Sequence, residues 1–112
     1  MRFSIVVGAH LFIGTEEKLL YMVDTKSFKI IDKISTQNFI FTMSAIDKST
    51  LICGQYQGFV DIVKIQGQNM AKIYQARSFD ANVYKIVQTD QPNTFAFGCG
   101  DGLFFGTFDS YQ

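Results

Sequence analysis

Three observations predict an all-β fold of repeated antiparallel sheets. No window of about 11 residues or more carries a 3.6-residue apolar stripe, whereas short apolar runs bounded by turn residues recur throughout. The bulk of the chain favours strands, with 12 Phe, 5 Tyr, no Trp and a single Pro. Most informative is a motif that occurs three times: an apolar run ends in glycine, four residues turn, and a second apolar run begins. The copies are Leu11-Phe12-Ile13-Gly14, Leu51-Ile52-Cys53-Gly54 and Phe95-Ala96-Phe97-Gly98, resuming at Leu19, Phe59 and Leu103. Gly14, Gly54 and Gly98 are spaced by 40 and 44 residues. A period of that size marks a stacked or circular repeat, whose unit cannot cover its own apolar faces.

Each repeat reads as up to four strands. In the first they are 2–7, 10–14, 19–24 and 28–34. In the second they are 39–46, 50–54, 59–65 and 69–75, with turns at Asp47-Lys48-Ser49, Gln55–Gly58 and Gly67. The third offers 82–89, 94–98 and 103–108, with Asp90-Gln91-Pro92-Asn93 as its first turn, and leaves no room for a fourth strand in Asp109-Ser110-Tyr111-Gln112. Eleven strands are expected.

The third strand of each repeat decides the architecture. In Phe59-Val60-Asp61-Ile62-Val63 both alternating faces are mostly apolar, and Leu19–Val23 and Leu103–Phe108 behave alike. Successive side chains point to opposite faces, so both sides of each small sheet need cover. Sheets stacked radially meet that need, and a β-propeller is the arrangement expected. The chain then divides into blades at approximately 1–35, 36–77 and 78–112 of one repeat region, 1–112.

The hairpins resemble WD40 repeats. Gly98-Cys99-Gly100-Asp101-Gly102 is similar to that family's Gly, polar residues and Asp-Gly turn; Gly54-Gln55-Tyr56-Gln57-Gly58 keeps both glycines and Gly14-Thr15-Glu16-Glu17-Lys18 keeps the first. Val23-Asp24 stands where the family has Trp-Asp, while copies two and three carry Val63-Lys64 and Thr107-Phe108 there. No Gly-His pair precedes the second or third first strand, so the family's Asp–His–Ser/Thr–Trp hydrogen-bond set is not available. The resemblance implies a WD40-like propeller and an interaction scaffold.

Three blades cannot close a ring of the usual four to eight. The end blades would expose apolar faces, and the last strand an unpaired edge. Three routes resolve this: a fragment of a longer propeller, a partner chain supplying strands and blades, or copies joining into a ring. The competing architecture is a small self-contained β-barrel or sandwich binding an apolar ligand, which needs inward/outward alternation along every strand.

Composition narrows the function. Apolar residues form 47% of the chain and charged ones 18%, which excludes a disordered segment. Ten basic and ten acidic residues cancel, so no electrostatic footprint for nucleic acid or an anionic membrane is expected. No run approaches the ~18 apolar residues of a membrane span. Phe3 to Gly14 could pass for a secretory apolar segment, but His10 interrupts it and Leu11–Gly14 belongs to the repeat, so strands are expected. A cytoplasmic protein is expected.

The chemistry of a site is sparse. Cys53 and Cys99 beside the repeat glycines read as small buried side chains, with a disulfide between them as the alternative. One His and two separated Cys fall short of a metal site. His10 lacks a nucleophile-elbow context, and Gly98–Gly102 lacks the Gly-Lys-Ser/Thr ending of a phosphate loop. Asp61, mid-strand among apolar neighbours, must be partnered, and a hydrogen bond between blades is the structural expectation. No enzyme, cofactor or catalytic residue is predicted.

What remains is surface. In a propeller the turns after each second strand and the connections between blades share one rim. That rim is expected to bind protein partners through Glu16, Glu17, Lys18, Gln55, Tyr56, Gln57 and Asp101, joined by Arg77, Phe79 and Asp80 of the long connection. Tyr, Phe and Arg are the types that carry binding energy at interface centres. Phe79 is the anchor expected there, or else a side chain tucked between blades.

Overall fold

The computed structural model describes residues 3–108. The chain is an all-β partial propeller of antiparallel sheets. The first sheet comprises β1 (Phe3–Val7), β2 (His10–Gly14), β3 (Leu19–Asp24) and β4 (Ile30–Ser35), paired in chain order. The second comprises β5 (Ile40–Asp47), β6 (Thr50–Gln55), β7 (Phe59–Gln66) and β8 (Asn69–Arg77). The third contains β9 (Val83–Gln88), β10 (Thr94–Cys99) and β11 (Gly102–Thr107), with β11 at its outer edge. Arg2, expected in the first strand, and 109–112 lie outside the described residues.

Among the described residues the sheets do not pair edge to edge with one another, which overturns the sealed barrel. The core lies between blades instead of inside a closed sheet. Phe12, Leu20 and Met22 of the first blade pack against Ile40, Met43, Leu51, Cys53 and Val63 of the second. Ile52 and Val60 of the second meet Val83, Ile86, Phe95 and Phe97 of the third. Each fully buried side chain of this size stabilises the stack by about 1.5–3 kcal/mol. Two-faced strands β3 and β7 are therefore the cause of the architecture.

The repeat glycines set the spacing between blades. A Cβ on Gly14 would lie 2.8 Å from Ile40 Cβ, and one on Gly54 2.6 Å from Val83 Cγ1. Each glycine thus accepts a β-branched side chain from the first strand of the following blade.

Two local expectations are corrected. Phe28, expected in β4, stands in the preceding turn at φ 58° with 75% of its surface exposed. Asp24 closes that turn: its carboxylate accepts the Ser27 N–H at 2.9 Å and the Ser27 hydroxyl at 2.7 Å, and its carbonyl accepts the Phe28 N–H. Gln55, expected in the turn after β6, is the last residue of that strand and fully buried. The turn itself is a single 3-10 turn, Tyr56–Gly58, with Gln57 at φ 62°.

Candidate interaction rim and open end

The rim forms because the turns after β2, β6 and β10 are hydrogen-bonded to the connections between blades. The Thr36 N–H donates to Lys18 O at 2.9 Å, the Tyr56 N–H to Phe39 O at 2.9 Å, and the Gly100 N–H to Asn82 O at 2.9 Å. The Gln57 N–H donates to Asn82 Oδ1 at 2.7 Å, and Arg77 Nε to Gln57 O at 2.8 Å. The connections are thereby held by backbone contacts, which fixes the side chains between them.

Most of the residues assigned to the rim from sequence lie there. Glu16, Glu17 and Lys18 occupy the exposed turn after β2, with Lys18 Nζ 5.6 Å from the centroid of Phe39. Tyr56 and Gln57 occupy the turn after β6, and Asp101 the exposed turn before β11. Arg77, expected on the connection, is instead the exposed last residue of β8, which runs on past Gln75; Asp80 is exposed on the connection to the third blade, and Arg77 Nη2 donates to Asp80 O at 3.5 Å. Two residues depart from the surface. Gln55 works inside: its Oε1 accepts the Asn38 N–H at 2.8 Å. Phe79 is half-buried between blades, with ring centroids 5.2 Å from Phe97 and 5.3 Å from Phe104.

The tertiary structure adds an aromatic row that sequence reasoning missed. Phe39, Tyr56, Phe41 and Tyr84 follow one another at centroid separations of 5.9, 6.0 and 5.4 Å. Phe41 and Tyr84 are the extra residues of β-bulges: Ile40 faces Gln55 and Thr42 faces Gly54, while Val83 faces Cys99 and Lys85 faces Gly98. A bulge re-aims its side chain away from the alternating ladder. The sequence carries only a trace of it, in Ile40-Phe41 and Val83-Tyr84, each an aromatic directly after a β-branched residue near the start of a blade.

Asp61 is fully buried, with one of its two carboxylate oxygens hydrogen-bonded. Its Oδ1 accepts from Gln37 Nε2 of the connection between the first two blades at 2.5 Å, and its Oδ2 lies 4.0 Å from Lys72 Nζ. The thiols of Cys53 and Cys99 are free, so the alternative of a disulfide is not realised. Burial pushes the Cys53 thiol far up, with the Asp61 charge adding to it; partial burial and then Asp101 raise that of Cys99. Both are thereby less nucleophilic than an ordinary thiol. Among the described residues no three His, Cys, Asp or Glu gather as a metal group, and no helix is long and apolar enough to cross a membrane.

The third blade ends the stack with its outer face open. Leu103 pairs with Gly98 and Phe105 with Ala96, as Leu20 pairs with Gly14 and Met22 with Phe12. Leu20 and Met22 are 0% exposed, whereas Leu103 is 64% and Phe105 68% exposed. Among the described residues only Lys85 atoms approach a Cβ on Gly98, at 3.8 Å and beyond. The first two repeat glycines are filled by the next blade and the third is open.

No family profile matches the chain, and no curated protein matches it by sequence. Solved structures match it by shape. A chain of a mitotic checkpoint complex is similar at TM-score 0.83 and 10% identity, covering 96% of this chain and 36% of that one. The β-propeller domain of Myceliophteria thermophila Cps50 (Swd1) is similar at TM-score 0.79 and 11% identity, over 95% and 39%. The computationally designed Ika4 protein is similar at TM-score 0.76 and 12% identity, over 95% and 64%. The chain thus spans between about a third and two-thirds of the structures it matches, and the propeller fold is what the likeness establishes.

Proposed function

We propose that this chain is a non-enzymatic, WD40-like arc of a propeller that serves as a cytoplasmic protein–protein interaction scaffold, completed by further blades or a partner chain. The observation that carries this reading is the open register at Gly98, beside Leu103 and Phe105, against the filled registers at Gly14 and Gly54. Large exposed apolar patches mark interaction surfaces. The rim supplies the second contact surface, with Tyr56 and Tyr84 as half-exposed anchors between Lys18 and Arg77.

The test is the mass of the purified chain by light scattering, with and without Gly98→Val. Association above 12.7 kDa that Gly98→Val abolishes, with the fold retained by circular dichroism, supports the reading. A folded, well-dispersed 12.7 kDa monomer refutes it.

A further inference from the structure

The charges of the rim are unevenly engaged. Its cations are already used within the chain. Lys18 Nζ lies 5.6 Å from the Phe39 centroid, and Arg77 donates through Nε to Gln57 O and through Nη2 to Asp80 O. Lys85, next to Tyr84 in the chain, leans instead over Gly98 at the open face of the third blade. The side chains of Glu17, Asp80 and Asp101 are exposed, and among the described residues none of these carboxylates takes a hydrogen bond or an ion pair. The unbalanced charge of the rim is therefore negative.

The aromatic row lies among these carboxylates. Tyr84 Cε2 is 3.6 Å from the place of a Cβ on Gly100, the residue before Asp101. Tyr84 is 53% and Tyr56 37% exposed, with Phe41 between them. The Tyr84 hydroxyl accepts from Asn82 Nδ2 at 3.0 Å, while Asn82 Oδ1 holds the Gln57 N–H at 2.7 Å. One asparagine thus orients the ring and ties down the turn that carries Tyr56. An aromatic face bears negative potential and attracts a cation within about 6 Å of its centroid. Lys18 over Phe39 is that contact, made by the chain itself at one end of the row.

We infer that the other end of the row receives Lys or Arg side chains of a basic partner segment, set against Tyr84 and Tyr56 and surrounded by Glu17, Asp80 and Asp101. This rests on the scaffold reading and names the chemistry of its partner at the rim. An acidic segment finds the cations it would seek already engaged. A purely apolar one would cover carboxylates without pairing them, which costs binding energy.

Three short peptides test this on the full chain, with Gly alternating with Lys, Gln or Glu. Ring proton–carbon spectra read Tyr56 and Tyr84, and titration reads affinity. The Lys peptide is expected to shift both tyrosine rings and to bind about tenfold more tightly than the Gln peptide, with the Glu peptide weakest. Tyr84→Leu is expected to weaken the Lys peptide about threefold, and Tyr84→Phe, which keeps the ring, to recover most of that loss. Asp101→Asn is expected to cost about threefold as well and to flatten the salt dependence. Circular dichroism verifies the fold of each variant.

Equal affinity for the Lys and Gln peptides overturns the inference, as does tighter binding of the Glu peptide. Binding of the Lys peptide that leaves the tyrosine rings unshifted also overturns it, because the attraction is then diffuse charge alone. So does binding that a folded Tyr84→Leu chain retains in full. The ring shifts are read on the unaltered chain and decide the matter even where that variant does not fold. The scaffold reading is tested separately, by the Gly98→Val mass measurement without peptide.

Discussion

Ile40 occupies the space into which any side chain on Gly14 would project: its Cβ and Cδ1 lie 2.8 and 2.9 Å from the position of that Cβ. Val83 stands in the same relation to Gly54. The strand glycines are therefore spacers between blades, selected by close approach and not by an unusual backbone angle.

Gly14→Ala and Gly54→Ala are expected to destabilise the chain by about 1–3 kcal/mol each, the cost of overpacking a fitted interface. Gly98→Ala is expected to stay within about 0.5 kcal/mol, because its surroundings are open. Urea unfolding of the three variants checks this. Equal losses at all three positions would show that the glycines act within their own strands.

Asp61 depends on groups from two different elements. Gln37→Ala removes the hydrogen bond to a fully buried carboxylate and is expected to cost about 1–3 kcal/mol. Lys72→Met keeps the aliphatic stem and removes the cation; with Lys72 partly exposed and 4.0 Å away, about 1 kcal/mol is expected. A double-mutant cycle at neutral pH measures their coupling through Asp61.

Phe28 is a large side chain held in the left-handed region, at φ 58°, with most of its surface in water. Such a conformation costs a non-glycine residue about 1–2 kcal/mol. Phe28→Gly is expected to raise stability by about 0.5–1 kcal/mol, the relief of that strain less the greater freedom of glycine in the unfolded chain. A lower urea midpoint for this variant would show that the ring makes a stabilising contact.

Asp47 caps the turn between β5 and β6, its Oδ1 accepting the Ser49 N–H at 2.8 Å. Burial raises its carboxyl pKa, but hydrogen bonds from Ser49 and Thr50 outweigh this and leave it below the ordinary value of 3.8. A depressed folded pKa stabilises the fold above the unfolded pKa and ceases to do so as pH falls through the folded one. The stability difference between the chain and Asp47→Ala is thus expected to be level above the ordinary carboxylate range and to vanish below it, as read by urea unfolding between pH 2 and pH 7, about a few tenths of a kcal/mol for so exposed a group.

The two thiols should separate kinetically. With Cys53 fully buried and its thiol pushed far up by that burial, and Cys99 only part-buried, iodoacetamide at pH 8 is expected to modify Cys99 first and Cys53 only on unfolding. Intact-mass time courses distinguish one adduct from two, and peptide mapping assigns the first.

Local pattern made the strands legible. Alternation, turn residues and the glycine period placed all eleven to within a few residues, and the two-faced β3 and β7 pointed to stacked sheets. The rim was legible in outline because turns such as Thr15–Lys18 and Tyr56–Gly58 are read from a few adjacent residues. Its aromatic row was not, since a bulge at Phe41 or Tyr84 arises only when paired strands differ by one residue. Gln55 likewise reads as a polar turn residue until the Asn38 backbone, 17 positions earlier, gives it a buried partner.

By itself, then, the sequence determined the repeat, the strand content and the need for cover on both faces, because those follow from side-chain polarity at short spacing. Only the tertiary structure decided which glycines are filled, who partners Asp61, and that Phe41, Tyr56 and Tyr84 meet in one row. These depend on residues dozens of positions apart meeting in space, where no local periodicity records the contact.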